Sequence, residues 1–251
     1  MKATIFLGSL KSKQSDSNSA TLAGLVRKQL LDRGFREVNL IQLRDLDYEP
    51  GTDIKTEAGQ ADGMTEALAA VLDSDAVIFA TPIWWGIHSS LIQALMERMC
   101  YYDDFAIKTA ISPIYGKTFG AIISGSDDGF QQVTGLLMNF ATNLGFTIPP
   151  DAIVPSVMQG AADIRADKRT QQHIALFARN MAAWTELLKR RKIGAEVQQE
   201  RETRPAYMSG EPNQTESEPP AHREKTEPVA EVAAEPAATP TIRDYVRERG
   251  I

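Results

Sequence analysis

The sequence is poor in the residues that hold metals and disulfides. Its 251 residues include one cysteine, Cys100, and three histidines. A single cysteine excludes a disulfide framework and any multi-cysteine metal cluster within one chain. His173 and His222 have no ligand-type neighbours in the sequence, so no metal site is predicted.

Long apolar runs are also lacking. No run approaches the roughly 18 residues that a membrane helix needs, so we expect no membrane segment. The apolar run at residues 3–7 is too short for a secretory signal and reads as a first strand. Together with the lone cysteine, these features favour a cytoplasmic protein.

Charge and proline divide the chain into two parts. Residues 1–193 carry 20 Lys or Arg against 21 Asp or Glu, whereas residues 194–251 carry 7 against 12. The near-neutral first part lacks the basic patch that nucleic-acid binding needs, so no nucleic-acid partner is expected. Seven of the 13 prolines lie beyond residue 193. We therefore predict a domain over residues 1–193 and an acidic, proline-rich tail over residues 194–251.

The tail has too little apolar surface to offset the entropy of ordering, so it is predicted to be disordered. Near its end, residues 241–249 place Ile242, Tyr245 and Val246 at helical spacing. This segment is either a solvated end or a short helix that docks on an unknown protein partner.

Short apolar runs alternate with amphipathic segments along residues 1–193. Strands are predicted at residues 3–7, 38–43, 76–80, 119–124 and 153–157, and helices at 18–33, 63–72, 89–100, 130–144 and 168–192. This alternation predicts an α/β fold, a doubly wound parallel sheet with right-handed crossovers. Ligands of such sheets bind at the carboxyl ends of the strands. The loops after the first, third and fourth predicted strands are therefore the candidate site.

The first of these loops, residues 8–19, holds five serines, an asparagine and two lysines at the start of a helix. Hydroxyl and N–H donors beside a helix N-terminus favour a phosphate. The patterns GxGxxG and GxxxxGK[ST] are lacking, which favours a monophosphate such as that of FMN. The alternative is an ordinary polar loop whose serine or asparagine caps the helix.

The second loop, residues 81–90, contains Pro82, two adjacent tryptophans and Gly86. Tryptophans are costly to expose, so at least one should be covered by protein or by a flat ligand. The alternative is that one or both pack in the core or at a subunit interface. The third loop, residues 124–130, has two glycines that allow close backbone approach to a ligand. Its alternative is a tight turn with a helix cap at Asp127 or Asp128.

In order and spacing, these segments resemble NADPH-dependent FMN reductases and multimeric flavodoxins over residues 2–190. The most specific part is Thr-Pro-Ile-Trp-Trp-Gly at residues 81–86, followed by an amphipathic helix that ends in Glu97 and Arg98. The resemblance implies a flavodoxin-like three-layer sandwich with a five-stranded parallel sheet of order 2-1-3-4-5. It also implies a homodimer or homotetramer. An iron-sulfur cluster is excluded, because no cysteine lies between the second and third strands.

The resemblance also assigns residues to FMN. The phosphate would be held by Ser9, Lys11, Ser17, Asn18 and Ser19. The flavin would be lined by Pro82, Ile83, Trp84, Trp85 and Gly86, and its other edge would be covered by Ser124, Gly125, Ser126 and Gly129. No catalytic side chain is predicted, because flavin chemistry resides in the cofactor. His88 is accordingly expected to have a capping or surface role.

The function implied is an oxidoreductase that passes electrons from NAD(P)H through FMN to a small acceptor such as a quinone or a flavin. One alternative is a flavodoxin-type electron carrier with a protein redox partner, and the balanced charge of residues 1–193 argues against it. The other is a non-catalytic interaction protein with a decayed flavin site. The polar and glycine residues expected of a flavin site are present in all three loops, which argues against this hypothesis.

Overall fold

A computed structural model of the chain describes residues 1–12, 17–109, 112–125 and 128–194. Three predictions lie outside these residues: the role of Ser126, the tail beyond residue 194, and its segment 241–249. The division into a domain over residues 1–193 and a tail stays a prediction. Within the described ranges, no helix is long and apolar enough to cross a membrane.

The described chain forms six strands, seven α-helices and one short 3-10 helix, Leu43–Asp45. The strands are β1 (Lys2–Leu7), β2 (Glu37–Gln42), β3 (Ala76–Trp84), β4 (Ile87–His88), β5 (Thr118–Ser124) and β6 (Ile153–Ser156). The helices are α1 (Asn18–Leu31), α2 (Gly63–Asp73), α3 (Ser90–Arg98), α4 (Cys100–Thr109), α5 (Phe130–Leu144), α6 (Ala161–Ala166) and α7 (Lys168–Arg190).

Five of the strands form one parallel sheet in the order β2-β1-β3-β5-β6. This confirms the flavodoxin-like fold and, with the parallel strands counted in sequence, the predicted order 2-1-3-4-5. The remaining strand, β4, is antiparallel to the end of β3 and forms a hairpin with it. The prediction of a loop from residue 81 was therefore incomplete, because β3 continues through Trp84 before the chain turns back.

Alternate side chains of the strands enter two separate cores, one on each face of the sheet. Phe6, Phe79 and Phe119 pack with α2, α3 and α5. Ile5 and Ile78 pack on the opposite face, with α1, α6 and α7. Successive strand side chains point to opposite faces, so fully apolar strands need a helical layer on both sides. The result is the predicted three-layer sandwich.

The region after residue 89 contains more helix than predicted. The predicted helix 89–100 is two helices, α3 and α4, and α4 includes Asp103 and Asp104, which were expected in a loop. Tyr102 and Phe105 are buried and hold α4 against the core, while the two carboxylates face solvent. The short helix α6 was also missed, because its six residues give too little periodicity to identify.

Arg98, at the end of α3, is a fully buried charged side chain. Its guanidinium donates to Asp62 Oδ1 at 2.8 Å and to the carbonyl oxygens of Glu49 and Ile54 at 3.1 and 3.2 Å. Asp62 also caps α2 by accepting from the Thr65 N–H at 3.0 Å. These bonds fix the long connection between β2 and α2, because one side chain satisfies three of its oxygens.

Asp62 stays ionised in this setting. Burial alone would raise its pKa, but hydrogen bonds from the backbone N–H groups of Thr65 and Glu49 and the charge of Arg98 lower its pKa below the ordinary aspartate value. The pair is thus a fully buried guanidinium and a half-buried carboxylate.

We predict that Arg98→Met lowers the free energy of unfolding by about 2–4 kcal/mol, because it removes three hydrogen bonds and leaves the half-buried Asp62 carboxylate without its charged partner. Urea unfolding of the full chain at neutral pH, followed by circular dichroism, measures this change. The control is Arg44→Met, whose pair with Asp45 is exposed and 3.9 Å long, and it should change stability by no more than about 0.5 kcal/mol. Equal stability of the two variants would contradict this role for Arg98.

Candidate functional site

The candidate site lies at the carboxyl edge of the sheet, where four connections meet. We call it the carboxyl-edge site and define it as residues 8–12 and 17–19, the hairpin segment 81–89, residues 124–125 and 128–129, and residues 157–160. Parallel strands bring their carboxyl ends to one edge, so segments distant in sequence become neighbours there. The hydrogen bonds and glycine contacts described next join these segments.

The two described ends of the connection between β1 and α1 are joined by their own hydroxyl groups. Ser17 caps α1 by accepting from the Ala20 N–H at 3.2 Å, and its own hydroxyl donates to Ser9 Oγ at 2.8 Å. Ser9 Oγ also accepts from the Lys11 N–H at 3.3 Å. Ser9 and Ser17 are buried, whereas Lys11 is exposed. The hydroxyls therefore hold residues 9–11 beside the start of α1, which is the positive end of the helix dipole.

Two further contacts tie α1 to loops far along the chain. Ser19 Oγ lies 2.7 Å from Ser124 Oγ, and both residues are buried. Asn18 donates to Gln159 Oε1 at 2.8 Å and accepts from the Gly160 N–H at 3.0 Å. The structure thus brings three of the predicted phosphate residues into contact with other site residues through their hydroxyls. The Asn18 amide is directed to the loop after β6, which was not predicted as part of the site.

The two tryptophans sit at a hairpin rather than in an open loop. Ile83 pairs with His88 and Trp84 with Ile87, which leaves Trp85 and Gly86 as the two turn residues. Both have positive φ, 51° and 77°, as a two-residue type I′ hairpin turn requires. Glycine adopts this conformation freely, whereas a bulky residue there costs about 1–3 kcal/mol. Trp85 is 99% exposed and Trp84 is 48% exposed.

Glycines let the hairpin rest on the connection between β5 and α5. A Cβ on Gly129, which has φ 92°, would lie 2.7 Å from Gly86 Cα. A Cβ on Gly125 would lie 2.9 Å from Ile83 Cβ. These glycines were predicted to admit a ligand. In the structure the hairpin residues Gly86 and Ile83 lie directly against these glycines, so the second and third predicted loops touch each other.

The start of α3 contacts the site at Gly8 and at Thr81. A Cβ on Gly8 would lie 2.6 Å from Ser89 Oγ, which caps α3. The Ser89 N–H donates to Thr81 Oγ1 at 3.0 Å, and both residues are fully buried. Neither hydroxyl was assigned to the site, although Ser89 stands at a helix-capping position in the sequence. Helices α1, α3 and α5 therefore all begin at this edge of the sheet.

His88 anchors the hairpin to α3. The side chain is buried, and its Nε2 lies 2.8 Å from Oε1 of Gln93, whose Nε2 donates to Glu97 Oε1 at 3.0 Å. Within the described ranges its Nδ1 has no hydrogen-bond partner. The expectation of a capping or surface role was wrong, because the hairpin pairing turns the imidazole inward beside Ile83.

The sequence that forms this site matches a known family. The model of the family described as NADPH-dependent FMN reductase matches residues 1–159. The chain belongs to the NADPH-dependent FMN reductase family. The resemblance seen in the sequence is thereby confirmed, and the predicted cofactors, FMN with NAD(P)H as electron donor, are those of this family.

Individual known proteins share less than a third of their aligned residues with this chain. The chain is 27% identical to the 8-demethyl-8-aminoriboflavin-5'-phosphate synthase of Streptomyces davaonensis over 161 residues, which are 61% of this chain and 62% of that protein. The chain thus spans less than two thirds of that relative's length.

Solved structures show the same fold. RosB with the bound intermediate OHC-RP aligns with a TM-score of 0.67 at 21% identity, over 94% of this chain and all of that one. The apo form of the NADH:FMN oxidoreductase EmoB aligns with a TM-score of 0.55 at 16% identity, over 72% of this chain and 88% of that one. At these identities the likeness concerns the fold alone.

The residues of the carboxyl-edge site fit the family's FMN. The start of α1 supplies N–H donors and positive potential for a phosphate, and the buried serine hydroxyls beside it are bonded to one another. Beside them, Leu10, Trp84, Ile87 and Val157 are 41–48% exposed, which gives the edge an apolar rim for a flat ring. The roles of the individual residues in FMN binding stay predictions, and Trp85 stands in solvent beyond this rim.

We predict that Gly129→Ala destabilises the protein by about 1–3 kcal/mol, because its Cβ would meet Gly86 and the left-handed backbone disfavours alanine. The same change should weaken FMN binding by about tenfold, since 1.4 kcal/mol lost from the bound geometry has that effect. Urea unfolding and fluorescence titration with FMN measure the two effects.

The control is Gly135→Ala, in the α5 helix that Gly129 precedes, where the added Cβ meets nothing within 4 Å. It should stabilise α5 by about 0.5–1 kcal/mol and leave FMN affinity unchanged. If Gly129→Ala bound FMN as well as Gly135→Ala did, the hairpin contact would have no part in the site.

Proposed function

We propose that this protein is an FMN-dependent oxidoreductase that uses NAD(P)H to reduce a small acceptor such as a quinone or a flavin. Two features of the carboxyl-edge site carry the proposal in a member of this family. One is a hydroxyl floor, the buried serines Ser9, Ser17, Ser19 and Ser124. The other is an exposed apolar rim, formed by Leu10, Trp84, Ile87 and Val157. FMN held at this site would supply the hydride and electron chemistry of the reaction.

The chain's own residues would hold and orient the cofactor. The start of α1, with Ser9 and Ser17 beside it, would face the phosphate, because its N–H groups carry the positive end of the helix dipole. The glycine contact between the hairpin and the β5–α5 connection would keep the backbone of residues 82–86 in place beside the ring. The exposed rim leaves room for NAD(P)H and the acceptor to approach in turn.

The proposal assigns no side chain as a proton donor to substrate. His88 is the one ionisable ring on the hairpin, and it is buried and bonded to Gln93. Its role is to hold the hairpin on α3. The family resemblance further leads us to propose a homodimer or homotetramer, which sedimentation analysis of the full chain would test.

A second candidate has the flavin phosphate as substrate rather than as resident cofactor. The likeness to the aminoriboflavin-phosphate synthase and the coverage of 94% of this chain by the RosB alignment favour it. The same hydroxyl floor would serve either function, because both require a bound flavin phosphate.

The test is to purify the full chain, supply FMN, and record the visible spectrum before and after anaerobic addition of NADH or NADPH. We expect the flavin absorption bands to bleach and to return when a quinone is added, with flavin of unchanged mass recovered afterwards. A colourless protein that takes up no FMN would contradict both candidates. A bound flavin that NAD(P)H leaves oxidised would favour an electron carrier, and a flavin of altered mass would favour the second candidate.

A further inference from the structure

We propose that the outer edge of the sheet carries a second binding site, which takes a small organic ammonium ion with an apolar body. The site is a cavity of about 310 Å³ that we call the β6-edge cavity. Its lining consists of Met138, residues 148–149, 151–153 and 155, and His173 and Leu176. None of these residues belongs to the carboxyl-edge site, so the inference does not depend on the proposed function.

The cavity lies where the sheet ends. Strand β6 is the last in the order β2-β1-β3-β5-β6, so one of its sides pairs with β5 and the other is an edge. Met138 of α5 lines the cavity from one helical layer, and Leu176 of α7 lines it from the other. Its volume is at the lower end of the range of about 300–1,000 Å³ for small-molecule sites. The cavity therefore suits a small ligand.

The backbone at this edge offers more acceptors than donors. The carbonyl oxygen of Ala152 accepts from the Ala121 N–H of β5 at 2.8 Å, so the alternate residues Ile153 and Pro155 direct their backbone groups outwards. Proline has no N–H, which disfavours the addition of another strand at this edge. What remains for a ligand is two carbonyl oxygens and the single N–H of Ile153.

Asp151 brings a negative charge to the cavity. Its Oδ2 accepts from Asn180 Nδ2 at 3.0 Å, while the neighbouring Arg179 donates to Asn180 Oδ1 at 3.2 Å. Within the described part of the chain, Asp151 forms no ion pair. Its backbone has φ 53° and follows the prolines at residues 149 and 150, which make the turn stiff. The carboxylate is thus held in place for a cation.

His173 brings a polar atom that lacks a partner. Its Nδ1 is buried and, among the residues that the structure describes, has no hydrogen-bond partner. Buried polar atoms are normally hydrogen-bonded, so this nitrogen is an anchor for a ligand or for a water that accompanies it. When the ring carries its proton on Nε2, Nδ1 is an acceptor.

These groups together define the ligand's chemistry. A carboxylate, two carbonyl oxygens and an imidazole nitrogen favour a positively charged donor, and an ammonium group has three N–H donors and no acceptor. Around them, the side chains of Met138, Ile148, Pro149 and Leu176 supply apolar contact for the rest of the molecule. An anion of the same shape would meet the charge of Asp151 and be repelled.

The experiment titrates the full chain, with FMN added, with phenethylammonium. Two compounds of similar shape separate charge from apolar contact: 2-phenylethanol is neutral, and phenylacetate is an anion. Binding is followed by NMR of the methionine methyl groups. The Met138 methyl reports on the cavity, and the methyl of Met64, buried in α2, is the internal control.

Three variants test the assigned groups. Asp151→Asn removes the charge and keeps a residue that tolerates the left-handed backbone. His173→Phe keeps a ring but removes its nitrogens. The matched control, Asp104→Asn, makes the same change as the first variant at a solvent-facing residue of α4, outside the cavity.

We expect phenethylammonium to bind about tenfold more tightly than 2-phenylethanol, and phenylacetate to bind most weakly. Asp151→Asn should weaken ammonium binding by about tenfold and His173→Phe by about threefold, whereas Asp104→Asn should stay within about twofold of wild type. Equal affinity for the ammonium and the alcohol, unchanged affinity in Asp151→Asn, or no saturable binding below about 10 mM would overturn the proposal.

Flavin binding gives a separate readout. An amine that changed the flavin absorption and left the Met138 methyl unmoved would lie at the carboxyl-edge site, which would also overturn the proposal. If the chain took up no FMN, the proposed function would fail, and the same titration of the flavin-free chain would still decide whether the β6-edge cavity binds an ammonium ion.

Discussion

The carboxyl-edge site depends on a close approach of two backbones, at Gly86 in the hairpin and Gly129 at the start of α5. A single Cβ at residue 129 would occupy that contact. Because the hairpin rests there, His88 is held beside Gln93 on α3, and Trp85 projects from a fixed turn. On the other side of β5, the Ser19–Ser124 hydrogen bond joins the same connection to α1. Close packing of the β3 and β5 loops thus positions both the hydroxyl floor and the apolar rim.

Most hydrogen bonds of the hydroxyl floor are made among its own residues. Ser17 serves as both a helix cap and a donor to Ser9, and the hydroxyls of Ser19 and Ser124 share a hydrogen bond. Buried hydroxyls without partners would be costly, so this pairing stabilises the contacts among Ser9, Ser17, Ser19 and Ser124 before any ligand is present. A phosphate would then meet N–H groups whose positions are already fixed. This preorganisation suits a tightly held cofactor, and it suits a flavin phosphate substrate equally well.

The parts of this fold that local sequence determines were predicted, and those that depend on distant partners were not. Apolar runs such as residues 76–80 identify buried strands, and the helix Phe130–Leu144 follows from its spacing and from Gly145 after it. The hairpin was missed because Pro82 and Gly86 are typical of loops, although Ile83 and Trp84 extend β3. The Arg98–Asp62 pair spans 36 residues and the Ser19–Ser124 pair spans 105. Neither pair leaves a local pattern, so the inward direction of these polar side chains appears only in the structure.

The central claim is that the start of α1 and its serine loop form a phosphate site at the carboxyl edge of the sheet. The most direct measurement is a titration of the flavin-free full chain with FMN and with riboflavin, which differ only in the phosphate. The account predicts that FMN binds about 100-fold more tightly, because the phosphate gains charge-assisted hydrogen bonds that riboflavin lacks. Equal affinity for the two flavins would contradict it.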